Sequence, residues 1–161
     1  MTEAVKRPVA RRLQARAMRV VNVPMRVVLG LPFPTPASGR LMLVSITGRK
    51  TAKTYRQPVS YVRQGSTLLT PGGGKWKWNL RDGQAVPIRL GGRDVLAYPE
   101  LVSDPEKVEQ LLAVMAASNR SVNAFAGIPK RPDGSLDPAR LQAALHHGFR
   151  IVRWHLDGPP R

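Results

Sequence analysis

Five short strand patterns follow one another between Leu41 and Val102, and this succession limits the fold more than any other feature of the sequence. Turn residues such as Gln64-Gly65 and Gly91-Gly92 separate them, and a sixth strand pattern closes the chain. The patterns cover residues 41–46, 55–63, 66–70, 85–90, 93–102 and 149–156. Consecutive antiparallel strands with helices set to the side predict an α+β barrel or sandwich and argue against a parallel doubly wound sheet.

Helix patterns stand before and after this block of strands. Asp104-Pro105 predicts a helix start, and Asp137-Pro138 predicts a second one that ends near His146. A short irregular helix is predicted between Asn119 and Ile128. The first of these helices has an apolar stripe at helical spacing, made of Val108, Leu111, Leu112 and Met115.

The N-terminal part of the chain is basic. Residues 5–23 form a basic amphipathic pattern, for which two interpretations stay open: contact with an anionic membrane surface, or packing of the apolar stripe on the domain. Residues 25–40 contain Pro32, Pro34 and Pro36, which predict an extended connector. The predicted division is therefore residues 1–40 for the basic helix and its connector, and residues 41–157 for the strand-rich domain.

Composition narrows the classes of partner. The 161 residues suit one globular domain, and the absence of cysteine excludes disulfides and thiol nucleophiles. No secretory signal pattern and no membrane-spanning apolar run is recognised, so a cytoplasmic location is expected, with membrane association of residues 5–23 left open. The net charge of +16 attracts anions of any kind, including nucleic acid, anionic lipid and an acidic cofactor.

Few residues suggest direct acid–base or metal chemistry. The adjacent His146 and His147 point to different helix faces and His155 stands apart, so no metal site is predicted. No Gly-x-Ser-x-Gly motif is present, and the glycine loop before Lys75 lacks the spacing of a nucleotide phosphate loop. The remaining chemistry is positioned positive charge: Arg49 and Lys50 after a glycine turn, and Lys75 and Lys77 on either side of Trp76.

The basic turn, the glycine-rich loop and the tryptophan-rich motif follow one another in the order found in a known protein family. The run ITGRKTAKTYRQPVSYVRQGS, followed by a glycine-rich loop and WKWNL, resembles the deazaflavin-dependent nitroreductase family, the F420-binding branch of the split β-barrel flavoproteins. The resemblance extends from about Leu41 to Val102. It is carried by Gly48, Arg49, Lys50, Pro58, Trp76, Asn79 and Leu80.

The resemblance implies a split β-barrel of about six mostly antiparallel strands that binds F420, with FMN as the alternative cofactor. It implies a phosphate site at Gly48, Arg49, Lys50 and Thr51, with Pro58 and Tyr61 on the deazaflavin side and Lys75, Trp76 and Asn79 at the phosphate end. The implied activity is hydride transfer from reduced F420 to a quinone, a nitroaromatic or an activated enone. Homodimers are frequent among such folds.

The chain departs from the family pattern in two ways that bear on function. Thr51-Ala52 replaces the family's Ser-Gly, and residues 119–125 contain no tyrosine over the acceptor. A non-catalytic F420 carrier is therefore the second hypothesis. A nucleic-acid-binding module ranks third because only 6% of residues are aromatic and no nucleic-acid motif is recognised, so no nucleic-acid partner is expected.

Overall fold

The computed structural model describes residues 24–72, 74–118, 128 and 131–161. The predicted helix at residues 5–23 lies outside this range, as does nearly all of the short helix expected after Asn119. The seven strands are β1 Leu41–Thr47, β2 Thr54–Ser60, β3 Val62–Gln64, β4 Thr67–Gly72, β5 Val86–Leu90, β6 Arg93–Val102 and β7 Arg150–His155. The helices that follow the strands are α1 Pro105–Ser118 and α2 Pro138–His146, and the 3-10 helices are η1 Pro36–Gly39 and η2 Lys75–Asn79.

The long strand β6 joins two halves of one antiparallel sheet. Its first half, from Arg93 to Ala97, pairs with β5, and its second half, from Tyr98 to Val102, pairs with β7. The strand order is β2-β1-β5-β6-β7-β4-β3, so backbone pairing connects the two halves only through β6. This arrangement confirms the predicted α+β class with a split, antiparallel barrel-like sheet.

The strand count differs from the prediction because one predicted strand is two. The pattern from Tyr55 to Arg63 changes its pairing partner after Tyr61, whose backbone amide still donates at 2.9 Å to the carbonyl of Arg40, the residue opposite it next to β1. β2 therefore ends at Ser60 and pairs with β1, whereas β3 pairs with β4. Pro58 lies in β2, which is at one end of the sheet, a position where a strand tolerates proline.

Two apolar cores lie on opposite faces of β4 and β7. Leu68 and Trp154 point into the barrel core, and the alternate residues Leu69 and Ile151 face the helices. The barrel core also contains Met42, Val44, Ile46, Val59, Ile88, Ala97 and Val152. The helix-side core contains Val62, Val102, Val108, Leu111, Leu112, Met115, Leu141 and Leu145.

The two helices begin as the sequence predicts. The four residues of the predicted apolar stripe, Val108, Leu111, Leu112 and Met115, are the buried residues of α1. Asp137 caps α2 by accepting a hydrogen bond from the Ala139 amide at 3.0 Å. Pro138 occupies the first turn, where a backbone N–H would have no partner within the helix, so proline costs no hydrogen bond there. Among the described residues, no helix combines the length and apolar character needed to span a bilayer.

The connector is more regular than the prolines predict. Residues 24–29 are helical and end at Gly30, whose amide donates to the Arg26 carbonyl at 3.0 Å. Pro36 then opens η1, since proline is compatible with a first helical turn. The prediction of an extended chain is therefore wrong for these two pieces. Arg89 ties the connector to the barrel, because it donates to the Gly30 carbonyl and forms a bidentate ion pair with Asp94.

Candidate functional site

A cleft of about 300 Å³ lies where the turn after β1 meets the chain that follows η2. It is lined by the end of β1, by Gly48, Arg49 and Ala52, and by residues between Asn79 and Pro87. Arg49 and Arg81 are its cations, and no Asp or Glu stands among the described residues that line it. We call it the Arg49 cleft. Two guanidinium groups without a carboxylate neighbour favour an anionic ligand.

Asn79 joins the two segments that form the cleft. Its Oδ1 accepts a hydrogen bond from the Arg49 backbone amide at 3.1 Å. Its Nδ2 donates to the Tyr55 hydroxyl at 3.2 Å and to the Trp76 carbonyl at 3.3 Å. The Arg49 side chain reaches the same segment, because Nη2 donates to the Leu80 carbonyl at 3.1 Å. The structure therefore brings Arg49 and Asn79 together, and the Asn79 amide group is engaged within the protein.

The turn from Gly48 to Lys53 leaves two backbone amides free at its tip. The Gly48 amide donates to the Lys53 carbonyl at 3.0 Å, and the Ala52 amide donates to the Gly48 carbonyl at 2.9 Å. The amides of Lys50 and Thr51 have no hydrogen-bond partner in the described part of the chain. Consecutive unpaired amides beside cations are a typical anion-binding arrangement.

Glycine and alanine fix the shape of this turn in different ways. A Cβ at Gly48 would lie 2.7 Å from Thr51 Oγ1, so a side chain at this position would require the Thr51 hydroxyl to move. Ala52 has a φ of 54°, a left-handed conformation that alanine adopts at a cost of about 1 kcal/mol. The substitution Thr51-Ala52 that separates this chain from the family pattern therefore retains the turn but strains it.

Pro58 and Tyr61 lie apart from the Arg49 cleft. Pro58 is opposite Leu43 in the β1–β2 ladder, which places it on the sheet face that also carries the cleft residue Ser45. Tyr61 lines a separate cavity of about 340 Å³, and its hydroxyl donates to the Ser38 carbonyl at 2.8 Å. Burial raises the pKa of the Tyr61 phenol, an effect that the charge of Arg63 partly offsets.

Lys75 and Trp76 do not line the Arg49 cleft either. Lys75 is exposed at the start of η2. The Trp76 ring stacks on Trp154 with centroids 6.4 Å apart and planes inclined by 4°, and the Trp154 indole donates to the buried Thr70 hydroxyl at 3.1 Å. Trp76 thus packs against the barrel core and fixes η2 on the barrel.

Lys77 is buried, contrary to the expectation of a free cation beside Trp76. Its side chain is 2% exposed, and Nζ donates to the Gly74 carbonyl at 2.7 Å and lies 4.7 Å from the centre of the Trp78 ring. Burial, and secondarily the charge of Arg150, lowers the pKa of Lys77 to about 8. The lysine is accommodated because Gly72 has no side chain: a Cβ there would lie 3.1 Å from Lys77 Cδ.

Sequence reasoning missed Arg81 and Gln84, which line the same cleft as Arg49. Both follow the WKWNL motif in a segment without strand or helix periodicity, so no pattern marked them. The only indication in the sequence was that both residues come soon after Leu80. Since the WKWNL motif contacts the turn after β1, the residues that follow it lie near that turn as well.

Comparison with known proteins gives little further information. No family model and no curated protein matches the chain. One similar solved structure is described as an F420-H2 dependent reductase, FDR-A; it is 14% identical, with a TM-score of 0.48, over 72% of this chain and 94% of that chain. Another is described as a domain-swapped dimer, at 12% identity and a TM-score of 0.49, over 91% of this chain and 98% of that one. Because both TM-scores are below 0.5, the fold is assigned from the strand pairing and not from these two structures.

Proposed function

We propose that the chain binds coenzyme F420 through its phosphate at the turn from Gly48 to Thr51, and that it is an F420-dependent oxidoreductase. The observation that carries this proposal is the pair of free amides at Lys50 and Thr51, next to the guanidinium of Arg49 in a cleft without described carboxylates. The same residues carry the resemblance to the deazaflavin-dependent nitroreductases. Geometry and motif therefore support one site.

The donors of this turn fit a phosphate group. Arg49 uses one side-chain N–H on the Leu80 carbonyl and keeps the rest of its five donors for a ligand. Lys50 adds an exposed ammonium and Thr51 a hydroxyl, and Arg81 is a second arginine that lines the cleft. Asn79 would act by holding Arg49 in place, since its own polar atoms are engaged.

The rest of the ligand would extend along the sheet face that carries Ser45 and Pro58. The bound cofactor supplies the hydride. The protein would contribute binding and orientation, which agrees with the small number of acid–base groups in the chain. The net charge of +16 favours a ligand with a phosphate and a polyglutamate tail.

The proposal extends to the hydride acceptor, to membrane contact and to oligomeric state. On the strength of the resemblance, the acceptor is a quinone, a nitroaromatic or an activated enone. Contact of residues 5–23 with an anionic membrane and formation of a homodimer stay predictions. Flotation with anionic vesicles tests the first and sedimentation equilibrium the second.

Equilibrium titration of the protein with F420 and, separately, with FMN tests the cofactor assignment. We expect F420 to bind more tightly than FMN. Stopped-flow oxidation of reduced F420 by menadione, with and without protein, then tests turnover. Tight binding without acceleration across quinones, enones and nitroaromatics would identify a carrier, whereas absence of F420 binding would refute the proposal.

A further inference from the structure

The Tyr61 cavity, of about 340 Å³, is a second concave site that the cofactor proposal does not use. It is formed by Gly39, Arg40, Tyr61, Val62 and Arg63, together with Ser118 at the end of α1. Its volume lies within the range of small-molecule sites in proteins. It is separate from the Arg49 cleft, since the two share no lining residue.

Tyr61 forms a fixed wall of this cavity. Its hydroxyl donates to the Ser38 carbonyl at 2.8 Å, and its backbone amide donates to the Arg40 carbonyl at 2.9 Å. The ring is half-buried and packs against the barrel core. Because the hydroxyl and the backbone amide of Tyr61 are both hydrogen-bonded, its ring is held in place. A planar ligand can stack on such a ring with little loss of side-chain freedom.

Two arginines line the cavity together with this tyrosine. Arg40 is hydrogen-bonded to it through the backbone, and the charge of Arg63 acts on its phenol. Both arginines are exposed, and neither forms an ion pair with a carboxylate in the described part of the chain. No Asp or Glu is among the described lining residues. Neighbouring like charges repel one another, and a bound anion would relieve that repulsion.

We infer that the Tyr61 cavity binds a small planar carboxylate, with its ring against Tyr61 and its carboxylate between Arg40 and Arg63. Arginine suits this ligand because its guanidinium is planar and pairs with a carboxylate through two parallel hydrogen bonds. This binding is independent of the proposed function.

The test uses the full chain, with benzoate as probe and benzyl alcohol as its neutral analogue of similar shape. Titrations followed by NMR should show benzoate binding with the largest shifts at the amides of Tyr61, Val62 and Arg63. Arg40→Ala and Arg63→Ala should each weaken benzoate binding about tenfold, the loss expected for one charge-assisted hydrogen bond, and should leave benzyl alcohol unaffected. Arg140→Ala removes an equal charge from the exposed face of α2 and should change neither ligand.

Three outcomes would overturn the inference. Benzoate and benzyl alcohol could bind equally, the shifts could fall on Arg49 and Arg81, or Arg140→Ala could weaken benzoate as much as Arg63→Ala does. F420 is absent from these titrations, so their outcome is independent of the cofactor proposal.

Discussion

The backbone amide of Arg49 donates to the side-chain oxygen of Asn79 at 3.1 Å, although 30 residues separate them in the chain. This contact holds the turn after β1 against the chain that leaves η2, and the Arg49 cleft lies between them. Asn79 also binds Tyr55 in β2 and Trp76 in η2. One amide side chain thus connects three parts of the barrel at the candidate phosphate site.

Asn79→Ala should weaken both the fold and the site. It leaves the Arg49 amide without its acceptor, and we expect a loss of about 1–2 kcal/mol in the free energy of unfolding and about tenfold weaker F420 binding. Urea denaturation and F420 titration measure the two effects. Gln84→Ala is the control, since Gln84 lines the same cleft without holding the Arg49 amide. Unchanged F420 affinity in Asn79→Ala would show that the hydrogen bond between the Arg49 amide and Asn79 has no role in F420 binding.

Replacement of Arg49 and Lys50 by alanine should weaken F420 binding at least tenfold, because both cations stand beside the free amides of the turn. The matched variant, Lys6→Ala with Arg7→Ala, removes the same charge from the N-terminal part of the chain and should have a much smaller effect. Titrations at two salt concentrations separate a local site from the general field. Equal effects of the two double variants would indicate a diffuse positive surface.

Ala52→Gly should stabilise the protein, because glycine adopts the φ of 54° without strain. Glycine also gains freedom in the unfolded chain, so the expected net gain is up to about 1 kcal/mol, or roughly 2–4 °C in Tm. Thermal denaturation provides the measurement. Ala113→Gly, at an exposed position within α1, should lower Tm instead. A lower Tm for Ala52→Gly would mean that the left-handed conformation is not strained.

The buried Lys77 should make stability depend on alkaline pH. Its pKa falls from 10.5 to about 8 in the fold, so the unfolded chain holds this proton more tightly and the fold is penalised below pH 8. As the pH rises from about 8 to 10.5, stability relative to Lys77→Met should increase by about 2–3 kcal/mol.

Urea denaturation of the wild type and of Lys77→Met across this range measures the Lys77 effect. Lys75→Met is the matched control, since Lys75 belongs to the same 3-10 helix and is exposed. Its stability difference from the wild type should be independent of pH. A difference between the wild type and Lys77→Met that does not change with pH would show that the lysine retains its ordinary pKa.

Much of the fold was predictable because its determinants are local. The stripe of α1 repeats every three or four residues, and Asp137-Pro138 contains its own cap. The Gly91-Gly92 turn has φ angles of 57° and 81°, which glycine supplies without strain. The division of one predicted strand at Tyr61 was not predictable, since it depends on which strands lie beside it: β1 pairs with residues 54–60, and β4 pairs with residues 62–64.

The sequence alone determined the antiparallel strands, the two helices after them and the basic turn at Gly48-Arg49-Lys50, because periodicity and turn chemistry act between near neighbours. The tertiary structure decided which polar groups face a ligand. It placed Lys77 against Gly72 and Trp76 against Trp154, put Tyr61 in a separate cavity and brought Arg81 into the same cleft as Arg49. These placements depend on residues distant in the chain, and no local pattern records whether a long side chain packs inward or remains free to bind an anion.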